Sequence, residues 1–230
     1  MTREQARARL AGLLAAAAAG SFPPADGAVT ILPQPCDRDA GVVALTGHAV
    51  VFADADPAWI AAQLPPDSLS APLSASFLHA LSQRLGCRSS GVDMLTCASA
   101  LPGPPAADLA LAELPGGGAG RAHPRIARAL RYRDEVRAWQ AGGGVLTIGR
   151  GLAGRYEAAI EVDPADRGRG LGSALAAAAR HLVPDGAPLW AQIAPGNAAS
   201  VRAFLRAGFR PVGAEALLSP DARGPAADSA

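Results

Sequence analysis

The chain has 230 residues, half of them apolar, 18% charged and 4% aromatic, with a formal net charge of +1. That length allows one large domain or two small ones with ample core, and the near-zero charge supplies no field to attract nucleic acid. Alanine dominates the apolar set and all 21 basic residues are arginine, so packing is close, burial per residue is thin, and a single arginine says little about function.

Residues 1–20 predict a helix. Arg3, Arg7 and Arg9 ahead of the apolar run Leu10–Ala19 imitate an export signal, but Glu4 interrupts the basic stretch and the run holds only three leucines. The segment is therefore read as a helix of a cytoplasmic protein, and no run approaches the length of a membrane span. The breaker cluster Ser21–Gly27 follows. Val42–Gly47 and His48–Phe52 read as two strands around a Thr46-Gly47 turn. Asp56-Pro57 opens a short helix with proline at its first position. Leu73, Phe77, Leu78, Leu81 and Leu85 recur at helical spacing and predict a helix over about 74–85. Val92–Cys97 reads as a strand, and Pro102-Gly-Pro-Pro105 marks a boundary. Residues 1–27 are thus a helix and linker, and 28–105 an α/β subdomain that is compatible with a degenerate copy of the unit after it. Cys36, Cys87 and Cys97 are odd in number and lack CxxC spacing, and His48, His79, His123 and His181 are scattered. Neither a disulfide framework nor a metal site is expected.

Beyond the boundary, Leu109–Leu114 reads as a strand, Gly116–Gly118 as a flexible link and His123–Tyr132 as a helix. Three strands follow at about 135–139, 145–150 and 156–162, joined by the glycine-rich turns that antiparallel hairpins require. The last runs into Val162-Asp163-Pro164, and Arg167-Gly168-Arg169-Gly170-Leu171-Gly172-Ser173 then opens an alanine- and leucine-rich helix. Glycines let the backbone approach a ligand, the helix start exposes unpaired N–H groups at its positive dipole end, and Arg167 and Arg169 add charge. A pyrophosphate suits such a loop; a ligand-free glycine-rich helix start is the plain alternative. The dinucleotide fingerprint fails at Ser173, and a Walker loop fails because the chain has no lysine.

The loop resembles the acetyl-CoA-binding motif of the GCN5-related N-acetyltransferases, Arg/Gln-x-x-Gly-x-Gly/Ala, as Arg167-x-x-Gly170-x-Gly172. About thirty residues on, a short strand Leu189–Ile193, then Pro195-Gly-Asn197, a helix Ala198–Arg206 and Ala207-Gly208-Phe209 are similar to that family's strand–Asn–helix–Gly-Phe segment. Asn197, the chain's one asparagine, also suits a helix N-cap. The resemblance covers roughly residues 106–218.

It implies an α/β fold with a mixed, largely antiparallel central sheet flanked by helices over 106–219, extended by the N-terminal α/β subdomain. A tail at 220–230 has nothing to bury and is expected to be disordered. It implies acetyl-CoA as cosubstrate, without a metal, gripped by Val162, Arg167, Gly168, Arg169, Gly170, Leu171, Gly172, Ser173, Asn197 and Phe204. The reaction implied is transfer of the acyl group to a primary amine of a small molecule or peptide, by direct attack in a ternary complex. A strand carboxylate serves many relatives as base, which points first to Glu157 and second to Glu161; the competing reading is a glutamate salt-bridged to Arg155 or Arg150. Relatives also carry a tyrosine acid seven residues after the asparagine, where this chain has Phe204. That departure supports an alternative, a non-catalytic acyl-CoA-binding regulatory module. Neither nucleic acid nor membrane is expected as a partner, and a homodimer is compatible with the sequence.

Overall fold

The computed structural model describes residues 1–65, 68–89, 91–115 and 123–220. The expected Gly116–Gly118 link and nearly all of the expected disordered tail lie outside the described residues. Local chemistry accounts for most element boundaries. Helix α1 (Arg3–Ala18) starts on a capping box in which Thr2 accepts from the Gln5 N–H and Gln5 returns a bond to the Thr2 N–H. Strands β1 (Val29–Leu32), β2 (Ala40–Leu45) and β3 (His48–Phe52) follow. Thr46 and Gly47 take φ of 40° and 76°, as a two-residue hairpin turn demands. Asp56 and Ser74 cap α2 (Pro57–Gln63) and α3 (Ala75–Leu85), and Gly86 closes α3 in the left-handed region.

After β4 (Cys87–Ser89) and β5 (Asp93–Ala98), the chain passes the Pro102–Pro105 boundary to β6 (Ala112–Leu114) and α4 (Pro124–Tyr132). Strands β7 (Asp134–Ala141), β8 (Gly144–Arg150) and β9 (Tyr156–Val162) lead to α5 (Leu171–Leu182), β10 (Leu189–Ile193), α6 (Ala198–Arg206) and β11 (Arg210–Pro220). The sequence reading did not include β1 and β4, which are four and three residues long and too short for an alternation to register.

The eleven strands of the described residues form one sheet, ordered β1-β3-β2-β11-β5-β10-β9-β8-β7-β6, with β4 added alongside β11. Only β1–β3 and β9–β10 pair in parallel; the other ladders are antiparallel. The fold is therefore mixed α/β with a large, mostly antiparallel sheet flanked by helices. Strand β5 lies before the proline boundary, yet it sits between two strands that follow it. Met94 pairs with Ile193 of β10 on one side and Ala214 of β11 on the other.

Two helical layers sandwich the sheet. On one face, α5 and α6 bury Leu175, Ala176, Ala179 and Phe204 against Tyr156, Ala158, Leu189 and Ala191. On the same side of β2, β3 and β11, α2 and α3 bury Ile60, Phe77 and Leu81 against Val42, Val51 and Ala216. On the other face, α1 presents Ala6, Leu10, Leu14 and Ala17 to Val43, Leu95, Cys97 and Trp190. There α4 packs Ile126 on Ala138 and Val145. Val145 pairs with Glu161 and Trp190 with Glu157. Cross-strand partners share a face, so α4 and α1 cover the same face of the sheet.

Candidate active site

The phosphate loop is held from below by the β7–β8 turn. The Asp163 N–H donates to the Gly143 carbonyl at 2.8 Å, and the Asp166 N–H to Asp163 at 2.9 Å. Arg167 folds back, its Nε donating to the Val162 carbonyl at 2.9 Å. Arg169 reaches Asp166 at 3.5 Å and is otherwise exposed. Gly168 and Gly170 stand at φ of 78° and 90°, and a Cβ on either would meet nothing within 4 Å. Both the backbone conformation and the open space above it fit a ligand-facing loop.

Gly170 is the N-cap of α5 and offers no side-chain cap. The first helical bond runs from the Ala174 N–H to the Gly170 carbonyl. Among the described residues, no hydrogen bond satisfies the N–H groups of residues 168–173. The free N–H groups at the uncapped start of α5, at the positive end of its dipole, suit a diphosphate. The other loop positions divide between ligand and core. Leu171 packs partly into the α5–α6 core, and a Cβ on Gly172 would be in ordinary contact with Ala203 and Val162, so Gly172 also sits at the α5–α6 seam.

Asn197 takes the expected post at the start of α6, where its Oδ1 accepts from the Ser200 N–H at 3.0 Å. The amide NH2 has no partner among the described residues, so capping leaves it available to a ligand. Between Asn197 and the phosphate loop the sheet comes apart. β9 and β10 pair only at Tyr156↔Leu189 and Glu157↔Trp190. Each strand then follows its other neighbour, β9 along β8 over seven registers and β10 along β5 over five. A slot opens between Ala158–Val162 and Ala191–Ile193, with an unpaired β9 backbone edge along it and the start of α5 at its mouth.

Glu157, the first candidate for the base, lies inside the core. It is 3% exposed. Its Oε1 accepts from Arg155 at 2.8 Å, from Gln192 at 3.0 Å and from the Leu152 N–H at 3.3 Å, while Oε2 accepts from Arg133 at 2.8 Å. Burial pushes this carboxyl up, but the Arg155 and Arg133 guanidiniums outweigh it and hold the value at about 2, against an ordinary 4.5. A carboxylate so paired has little proton affinity. The competing salt-bridge reading, with Arg155, is the observed one. Glu161 pairs with Arg125 at 3.2 Å and is about one-third exposed.

Phe204 is 6% exposed and packs edge-on against Phe209 with ring centroids 4.9 Å apart, so it supports the α6 seat from within the core. The sequence reading also missed the rest of the buried cluster. Glu215 on β11 receives two 2.8 Å bonds from Arg155, and burial together with Glu157 pushes its carboxyl up against the pull of Arg155. Asp39, pushed up by burial, is bonded by the Cys36 thiol at 3.2 Å and paired with Arg38 at 3.4 Å. A charge amid Gly213-Ala214-Glu215-Ala216-Leu217 was the available signal of a buried partner. Among the described residues no group of His, Cys, Asp or Glu is arranged to hold a metal, and no helix is long and apolar enough to cross a membrane.

Residues 153–217, just over a quarter of the chain, match the model of the FR47-like proteins, a family related to the GCN5-related N-acetyltransferases. That segment holds β9, the phosphate loop, α5, β10 and α6, which carry both motifs read from the sequence. Solved structures add a looser likeness. A GCN5-related N-acetyltransferase from Kribbella flavida is 19% identical with a TM-score of 0.39, over 63% of this chain and 64% of its own length. An acetyltransferase assigned to the GNAT family from Novosphingobium aromaticivorans is 21% identical with a TM-score of 0.40, over 60% and 69%. A GCN5-related N-acetyltransferase from Sphaerobacter thermophilus is 16% identical with a TM-score of 0.40, over 63% and 56%. The match thus spans less than two thirds of the Kribbella and Sphaerobacter proteins. No curated protein matches the chain.

Proposed function

We propose that this protein is a cytoplasmic N-acyltransferase that takes the acyl group from acetyl-CoA and passes it to a primary amine. The observation that carries the reading is the β9–β10 slot with an uncapped helix start at its mouth. The N–H groups of residues 168–173 would hold the diphosphate, Arg169 would add charge, and the Asn197 amide would meet the pantetheine arm beside the β9 edge. Acetyl-CoA supplies a thioester carbon open to attack by an amine. The chain's part is to align that carbon with the acceptor, donate to the developing oxyanion from the β9 backbone around Val162, and accept the proton of the ammonium.

CoA at a hundredfold excess over its Kd stabilises the fold by about 2.7 kcal/mol, which is read as a rise in melting temperature. Gly170→Asp abolishes the rise, because its carboxylate enters the phosphate site. A wild-type melt unmoved by millimolar CoA would reject the assignment. The second reading, a non-catalytic acyl-CoA-binding module, draws support from Glu157 and Phe204, since neither is placed to move a proton. Thiol release from acetyl-CoA over pooled amines separates the two readings: a module binds CoA and releases none.

A further inference from the structure

With Glu157 held by arginines, the acyltransferase reading still needs a group that accepts a proton, and the N-terminal block brings one to the open end of β10. Asp93 is the first residue of β5, one position beyond the Met94↔Ile193 pair. It is therefore level with the C-terminal end of β10, where the slot is open. Alternation puts it on the face of Leu95 and Gln192, the face turned away from α5 and α6 and covered by α1 and α4.

The surrounding carboxylates are all held by arginines. Arg155 takes Glu157 and Glu215, Arg125 takes Glu161, and Arg38 takes Asp39. Asp93 is half-buried and, among the described residues, makes neither a hydrogen bond nor an ion pair. The charges that face it are Arg128 on α4 and its cross-strand partner Glu215 on β11; β10 contributes the neutral Gln192.

We propose that Asp93 binds the ammonium group of the acceptor and takes its proton. This rests on the acyltransferase reading, and it assigns the acceptor to cationic amines. One proton passes from the ammonium to the Asp93 carboxylate, freeing the nitrogen lone pair. The nitrogen bonds to the thioester carbon, the C–S bond breaks, and the second nitrogen proton goes to the departing thiolate. Asp93 then releases its proton to solvent. Burial pushes this carboxyl above its ordinary range against the pull of Arg128, which improves it as an acceptor.

The test uses the full chain with methylamine, phenethylamine, spermidine and lysine amide as probes. Calorimetry of CoA binding runs alongside thiol-release kinetics and the carbon-13 carboxyl signal of Asp93, assigned by its loss in Asp93→Asn. The expected results are an unchanged CoA affinity in Asp93→Asn, a fall in kcat/KM of about a hundredfold, loss of the acidic limb of the pH profile, and partial rescue in Asp93→Glu. At least one amine shifts the Asp93 signal in the CoA-loaded wild type. A wild-type rate and pH profile in Asp93→Asn, or a carboxyl signal untouched by all four amines while CoA binds, overturns the assignment. Failure of CoA to bind the wild type instead removes the acyltransferase reading itself.

Discussion

At the residue scale the central feature is one guanidinium shared by two carboxylates. Arg155 lies under α1 with 2.8 Å bonds to both Glu157 and Glu215, and Arg133 supplies the second positive charge. Removing one partner of such a cluster leaves an uncompensated buried charge. Glu157→Gln should therefore cost about 3 kcal/mol in urea unfolding at neutral pH, with the pH dependence of acyl transfer unmoved. The folded carboxyl lies below its ordinary value, so its stabilising contribution is present above about 4.5 and is lost as pH falls toward about 2. The acid limb of wild-type stability should thus be steeper than that of the variant. A shifted pH–rate profile in Glu157→Gln would return the base to this residue.

At the element scale the strands divide into close and open approaches. Gly213 follows a register shift in β11 against β5, and a Cβ there would lie 2.1 Å from the Ala44 carbonyl oxygen and 3.0 Å from Leu45. The neighbour is backbone and cannot yield cheaply. Gly213→Ala should therefore prise β2 from β11 and cost about 2 kcal/mol, seen as a lower urea midpoint with CoA affinity unchanged. A wild-type midpoint would show that the ladder is more pliant than its spacing suggests. At Gly170 the reverse holds: space is open, and the positive φ alone demands glycine.

At the scale of the whole molecule, the Pro102–Pro105 boundary separates segments that share one sheet. Residues 106–230 alone would lose β5 from between β10 and β11, exposing two strand edges. They would also lose α1, which covers Trp190, Leu152 and Val212. Unpaired edges and bared apolar surface drive association. The fragment should aggregate when expressed alone and be rescued by co-expression with residues 1–105. A soluble monomer with a cooperative melt and full activity would instead show the N-terminal block to be an appendage.

Much of the chain could be read before it folded, because caps, turn glycines and amphipathic spacing act within a few residues. The limits of β10 and α6 coincide with those expected, α5 starts at the glycine loop, and Asn197 caps where its residue type predicts. The phosphate loop and the asparagine segment depended on local order alone and were legible for that reason. Partners were not. Arg155 and Glu215 are 60 residues apart, and the Thr96 hydroxyl bonds a carbonyl 95 residues away. No spacing rule encodes such contacts, so a strand glutamate that looked like a base became an ion-pair partner. The packing of β5 against β10 likewise set a carboxylate from the N-terminal block beside the slot. The sequence by itself determined the glycine-rich loop, the helix starts and the alternating strand faces. Only the tertiary structure decided which charges are neutralised and which one is left without a partner among the described residues, because charge pairing depends on sheet order and not on chain order.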